Sequence, residues 1–336
     1  MKRCVLAVVL ALLALHSAFG SEASPRKKTS RPPKSNLRAA VLPPAVPNHL
    51  RHLYEAYAVA DAADGKVLEG QNLQLRWPQA SLTKLMLAAV VAEKIEQGEL
   101  SLDDRVTVTR KAERMGGSQV FLKEGEVFTL DELMQAALVE SANDAAYAVA
   151  EHAAGSSDEF VQLMNRKAQA LGMADTEFHC VHGLPPARGG RENMTSCNDM
   201  ILLAREALQH PQIMEWTSVA RTTFRNGMLV ITNTNKLVGR LPGVDGLKTG
   251  YTRKAGFNIV ATAKDADRRL IVVVLGSPES RVRDAFATAK FIEHLLARPA
   301  TQVDTVEPDE LWPDSPGVEV HPSEQVDPVE LTATGG

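Results

Sequence analysis

Strand signals in this chain fall into two groups that lie far apart in sequence. The first, YEAYAVADAADGKVLEGQN over 54–72, alternates apolar residues and turns at Asp64-Gly65, the pattern of a hairpin. The second begins with RTTFRNGMLVIT (221–232), turning at Asn226-Gly227. It continues with AGFNIVATA (255–263) and RLIVVVLG (269–276) on either side of the polar KDADR. From Ser81 to about Gln209 the pattern is helical instead. The run SLTKLMLAAVVAEKIEQGEL (81–100) spaces its apolar residues for a helix and has Gly98 as its stop. A last amphipathic helix is expected over 281–296. The simplest solution is one sheet whose first and last strands are interrupted by a helical lobe. A cleft between sheet and lobe is where a site would form.

Composition allows such a core: 44% of residues are hydrophobic and 23% charged, ordinary for a globular protein. The net charge of -4 offers no global basic field for nucleic acid. The flanks have another character. Met1-Lys2-Arg3, the apolar run Cys4–Leu15 and the small-residue stretch Ala18-Phe19-Gly20 read as a signal peptide over 1–20. That apolar run is shorter than the ~20 residues that span a bilayer. Residues 21–45 form a basic, proline-containing linker expected to be disordered. Residues 299–336 carry nine acidic side chains and no lysine or arginine, and read as an acidic disordered tail. One folded domain is expected over 46–298, and the product outside the cytoplasm, periplasmic or extracytoplasmic and soluble. Export leaves Cys180 and Cys197 in an oxidising compartment. A disulfide between them and a pair of free thiols are both open.

Chemistry is suggested by Ser81-Leu82-Thr83-Lys84. A serine hydroxyl is a weak nucleophile until a base takes its proton, and residues i and i+3 share a helix face. Lys84 can serve as that base if burial or nearby cations lower its pKa. Lys248 would supply positive charge and attract an anionic substrate. A serine at a helix start also has a free backbone N–H for an oxyanion. The bland alternative is an N-cap followed by a solvated lysine, and Ser24-Pro25-Arg26-Lys27 matches the same pattern. Leu82, Leu85 and Met86 around the pair favour a buried helix start.

Three motifs in order carry a resemblance: Ser81-Leu82-Thr83-Lys84, Ser141-Ala142-Asn143 and Lys248-Thr249-Gly250. The set is similar to that of penicillin-binding proteins and class A β-lactamases. The segments ASLTKLM, GGSQVFLKEGE, ALVESANDAAYAVAE, FVQLMNRKAQALGM, NTNKL and GVDGLKTGYTRKAGFNIVATA resemble the low-molecular-mass serine D-alanyl-D-alanine carboxypeptidases, peptidase family S11. The resemblance implies a β-lactamase/transpeptidase-like α/β fold: an antiparallel sheet flanked by helices, an inserted all-helical lobe, and the active site in the cleft between. It implies Ser81 as nucleophile, Lys84 as base and Ser141 as proton relay. Asn143 would hold the substrate amide, Lys248 and Thr249 its carboxylate, and Gly250 would let the substrate backbone approach. The N–H groups of Ser81 and Tyr251 would form the oxyanion hole, and Arg283, or its neighbour Arg281, would help bind the carboxylate. Ser196-Cys197-Asn198 aligns instead with a helix start. In the family Cys180 and Cys197 replace other residues, which tilts the balance toward the disulfide.

The implied activity is removal of the terminal D-alanine from peptidoglycan stem pentapeptides through an acyl-enzyme, with β-lactams as covalent inhibitors and no cofactor or metal. A DD-endopeptidase shares the machinery. A β-lactamase would need a Glu-x-x-Leu-Asn segment, which does not occur between Asn143 and Lys248. A metal carboxypeptidase would need a histidine cluster such as His-Glu-x-x-His, and the nine histidines form none. Anchored members of the family carry a β-rich second domain and a terminal amphipathic helix. Neither is recognised here, so no stable membrane anchor is expected after signal cleavage.

Overall fold

The computed structural model describes residues 54–186, 189–265 and 268–296. The expected leader, linker and acidic tail lie outside the described residues. Five antiparallel strands make the central sheet: β1 (Ala56–Asp61), β2 (Val67–Gln71), β3 (Val244–Thr252), β4 (Gly256–Asp265) and β5 (Arg268–Ser277). Their order is β2-β1-β5-β4-β3. The two groups of strands therefore meet at the β1–β5 pair, where Ala56 lies opposite Leu275 and Ala60 opposite Ile271.

The unbroken apolar run of β5 follows from burial on both faces. Ile271, Val273 and Leu275 join the core beneath the helical lobe. Leu270, Val272 and Val274 join a second core with Tyr57, Val59, Phe286 and Phe291. Each such side chain contributes about 1.5–3 kcal/mol of burial. The helices around the sheet include α1 (Thr83–Glu96), α2 (Leu130–Gln135), α3 (Asn143–Ala154), α4 (Ser157–Ala170), α5 (Cys197–Ala207), α6 (Pro211–Thr217) and α7 (Ser280–Leu296). In α1 every residue from Thr83 to Ala92 is buried, so it is a helix enclosed on all sides. Gly98 follows its end at φ 72°. The side chain of Ser196 accepts from Asp199 N and caps α5, as its pattern suggested.

Three details differ from the sequence expectation. The inserted lobe also carries a short ribbon, Arg105–Thr107 against Val127–Thr129. The 221–232 hairpin forms its own two-stranded ribbon, separate from the main sheet. Glu140 Oε2 accepts from Thr232 N there at 3.0 Å, tying the hairpin to the lobe. The disulfide is absent: Cys180 and Cys197 are both free thiols. Cys180 Sγ turns into its own loop and accepts from Gly183 N at 3.2 Å, whereas Cys197 is fully enclosed in the core. Burial pushes the Cys197 thiol pKa up.

Candidate active site

Ser81 lies in a single 3-10 turn, Ala80–Leu82, that leads into α1. Ala80 adopts φ 50°, a conformation that costs an L-residue roughly 1–2 kcal/mol. Two glycines let backbone press on this turn. A Cβ at Gly183 would lie 1.9 Å from Ala80 O, and one at Gly250 would lie 2.7 Å from Gln79 O and 3.0 Å from Ser81 N. Gly250 therefore admits the protein's own Ser81 turn, a different reason for glycine from the approach of substrate expected above. Asn258 Nδ2 donates to Pro78 O at 2.9 Å, pinning the same turn to the sheet.

One turn along, Lys84 is fully buried. Its Nζ donates to Asn143 Oδ1 at 2.7 Å, to His182 O at 3.0 Å and to Ser81 Oγ at 3.0 Å. Burial pulls the Lys84 ammonium down to about 7, against a smaller upward pull from Cys180 and Asp144. A neutral amine keeps two N–H groups. With those on Asn143 and His182, the lone pair is left facing the Ser81 hydroxyl. The apolar surroundings expected for this pair are present, since Leu82, Leu85 and Met86 have no exposed surface.

Ser141 follows a π-turn, Ala136–Glu140, and sits at φ 66°, ψ 28°. Such turns in helices concentrate at functional sites. Its Oγ accepts from Lys248 Nζ at 2.9 Å. Lys248, fully buried in β3, also donates to Thr249 O at 3.0 Å and lies 3.5 Å from Thr234 Oγ1. Burial first, then the charges of Lys84 and Arg283, holds its pKa well below the ordinary lysine value. β3 is the last strand of the sheet, so one side of its backbone is not paired within it. Exposed Tyr251 stacks on Phe257 at 4.2 Å between ring centroids.

Ser81, Lys84, Ser141, Asn143 and Lys248 thus converge through side-chain hydrogen bonds. Two residues differ from expectation in what they touch. Both ends of the Asn143 amide are engaged within the protein, Oδ1 by Lys84 and Nδ2 by Gly116 O at 2.7 Å. Arg283 is 4% exposed; its Nε donates to Asp284 Oδ1 at 2.8 Å and its Nη1 to Asn258 O at 3.3 Å. It stands behind the site and acts on Lys248 through its charge. Arg281 is exposed at the start of α7.

Sequence reasoning missed the frame that holds these groups. His182 contributes its carbonyl to Lys84, and its imidazole is lowered to about 4 by burial and then by Lys84. Asn193 clamps that loop to α1 by donating to Thr83 Oγ1 and Cys180 O. Asp144 accepts from Val120 N and Leu122 N at 3.0–3.2 Å, fixing the loop whose Gly116 holds Asn143. No spacing rule marks His182 or Asn193. Asp144 stood beside Ser141-Ala142-Asn143 and was the readable one.

The sequence profile of peptidase family S11, D-alanyl-D-alanine carboxypeptidase, matches residues 45–279. The chain belongs to this family. A member from Bacillus subtilis, D-alanyl-D-alanine carboxypeptidase DacF, is 35% identical over 244 residues, covering 72% of this chain and 62% of the relative. Penicillin-binding protein 5 from Haemophilus influenzae is a structural neighbour with TM-score 0.68 and 31% identity, covering 73% of this chain and 71% of that one. Penicillin-binding protein D2 from Listeria monocytogenes, solved in an ampicillin-bound form, gives 0.64 and 30%, covering 73% and 97%. The chain spans about three fifths of the length of the first curated S11 relatives it matches. The β-lactamase/transpeptidase-like fold implied by the sequence is the fold of these neighbours.

Proposed function

We propose that the chain is a serine D-alanyl-D-alanine carboxypeptidase of peptidoglycan stem pentapeptides, acylated by β-lactams at Ser81. The observation that carries this is Lys84: buried, hydrogen-bonded to neutral acceptors, and within 3.0 Å of Ser81 Oγ. Ser81 Oγ attacks the carbonyl of the penultimate D-alanine as its proton passes to Lys84 Nζ. The developing oxyanion is received by the N–H groups of Ser81 and Tyr251. Ser141, polarised by Lys248, gives its hydroxyl proton to the leaving amine and is reprotonated from the Lys84 ammonium, so that Lys84 is neutral again and D-alanine departs with its nitrogen neutral. Water then releases the acyl group from Ser81 Oγ. Lys248 and Thr249 receive the terminal carboxylate with Arg283 adding positive field behind them. Asn143 holds Lys84 in line and meets the substrate amide by exchanging its Gly116 partner. The ampicillin-bound Listeria relative supports the β-lactam part of this reading.

The proposal includes export through the leader at 1–20, a linker at 21–45, the catalytic domain at 46–298 and a tail at 299–336. Among the described residues no helix is long and apolar enough to cross a membrane. The direct test is labelled-penicillin attachment and release of D-alanine from a pentapeptide, with Ser81→Ala beside the parent. Both signals should fall by at least about 10³-fold. Equal signals from the two proteins would end the assignment. Mass spectrometry of cross-linked muropeptides in the same assay distinguishes an endopeptidase, which would cut the bridges.

A further inference from the structure

The turn that follows the 221–232 hairpin carries two cations that the reaction above does not use. Leu237 O accepts from Arg240 N at 3.1 Å and from Leu241 N at 2.9 Å, closing a single helical turn. Leu237, Val238 and Leu241 are buried in the core shared with Phe286 and Phe291 of α7. Lys236 and Arg240 are four residues apart, a spacing that shares one face of such a turn, and both are exposed. Among the described residues neither side chain makes a hydrogen bond or an ion pair.

This turn is fastened to the carboxylate end of the site. Asn235 Nδ2 donates to Gly246 O of β3 at 3.0 Å, two residues before Lys248. Thr234 Oγ1 lies 3.5 Å from Lys248 Nζ, and two Cα steps of about 3.8 Å lead from Thr234 to Lys236. Glu140 of the lobe and Arg283 of α7 act by charge on Lys236 and Lys248 alike. The ammonium of Lys236 therefore stands at the rim, between lobe and α7, outside buried Lys248. The carboxylates there are already engaged. Asp284 holds Arg283 at 2.7 Å, and Glu140 accepts from Thr232 N. Partial burial, then the charge of Arg240, pulls the Lys236 ammonium below the ordinary lysine value, as expected where like charges meet.

The proposed reaction sets an anion against this rim. A substrate running antiparallel to β3 points its C-terminus back toward Gly246, so its terminal carboxylate lies on the Lys236 side of Lys248. Lys248 attracts that group weakly from solvent, because it is fully buried and held well below the ordinary lysine value. Exposed cations act across the ~10 Å over which charge is felt at about 0.1 M salt. We propose that Lys236, supported by Arg240, is a positioning residue that captures the terminal carboxylate from solvent and passes it to Lys248 and Thr249. The same capture applies to the carboxylate of a penicillin. Attack itself stays with Ser81 and Lys84, which these cations do not contact.

This inference rests on the carboxypeptidase assignment, and its test keeps the two apart. Labelled-penicillin acylation is resolved into a dissociation constant and a limiting rate, at low and at high salt. At low salt Lys236→Ala should raise the dissociation constant by about threefold, the size of one screened surface pair, and Lys236→Glu by about tenfold. The limiting rate should stay within about twofold of the parent. Lys236→Arg should restore capture, and the differences should shrink at about 1 M salt, where the Debye length is about 3 Å. A merely structural role would produce neither the salt dependence nor the arginine rescue. The pentapeptide and its C-terminal carboxamide supply the second arm. The ratio of their kcat/KM values for cleavage of the terminal residue should fall by about the same threefold in Lys236→Ala. Parental dissociation constants in Lys236→Glu, or a loss confined to the limiting rate, overturn the capture role and leave the carboxypeptidase standing. Weakened penicillin capture in Lys236→Glu with no D-alanine release by the parent supports the capture role and ends the carboxypeptidase.

Discussion

Two lysine clusters on opposite faces of the sheet show what burial does with and without a counter-charge. At the site, the Lys84 ammonium is bonded to a hydroxyl, an amide oxygen and a carbonyl. Burial is opposed only weakly, by Cys180 and Asp144, and Lys84 falls to about 7. Across the sheet, Lys290 of α7 donates to both oxygens of Glu69 at 2.7 Å and to Glu293 at 2.9 Å, while His294 meets Glu69 at 3.0 Å. Burial there pushes the Glu69 carboxyl up, but hydrogen bonds from Lys290, His294 and Tyr57 outweigh it and hold Glu69 at about 2. Glu69, Glu293 and His294 bring metal-type donor atoms together, yet Lys290 already occupies their centre as the cation. The paired lysine fastens β2 to α7. The unpaired one is poised to accept a proton.

The comparison breaks most sharply at Lys84. Lys84→Met should lower the rate of penicillin acylation by about 10²–10⁴-fold. In the parent that rate should climb with pH until about 7, where Lys84 becomes neutral, and flatten above; a flat profile in the parent would remove Lys84 as base. Stability should respond in the same window. From about 7 up to the ordinary lysine value of about 10.4 the unfolded chain binds the extra proton, so stability rises with pH. Urea midpoints at pH 7 and pH 9 should show that rise in the parent and a smaller one in Lys84→Met, where the lowered Lys248 still contributes.

A smaller loss is expected at the contact between β3 and the nucleophile turn. Gly250→Ala places a methyl against Gln79 O and Ser81 N and should slow acylation by about 10–10²-fold through misplacement of Ser81. Near-parental acylation would show that the turn yields freely.

The smallest effect belongs to the paired cluster. Glu69→Gln should cost about 1 kcal/mol, since the group is half-exposed and solvent screens it, and should leave acylation unchanged. That contribution is fully present above about 4.5 and lost as pH falls through about 2. Urea midpoints of parent and variant should differ at pH 7 and converge near pH 2. A changed acylation rate would mean the two faces are coupled.

Much of this was legible in the sequence because it depends on local pattern. Alternation marked β1, the apolar run marked β5, and Asp64-Gly65 marked the first hairpin. The Ser-x-x-Lys, Ser-x-Asn and Lys-Thr-Gly segments pointed to Ser81, Lys84, Ser141, Asn143 and Lys248. The 221–232 hairpin read correctly as a hairpin but was assigned to the wrong sheet, because alternation reports a partner strand without saying which sheet receives it.

The sequence by itself determined which side chains could do the chemistry and in what order the strands and helices come. Only the tertiary structure decided their state. Lys84 loses its proton readily because the sheet, α1 and the His182 loop close around it, and no feature of Ser81-Leu82-Thr83-Lys84 encodes that desolvation. Cys180 and Cys197 remain thiols because one turns into its own loop and the other into the core. Asn143 serves Lys84 because the loop fixed by Asp144 brings Gly116 to its other end. Charge state and partner are properties of distance and burial, which are set by residues far apart in the chain.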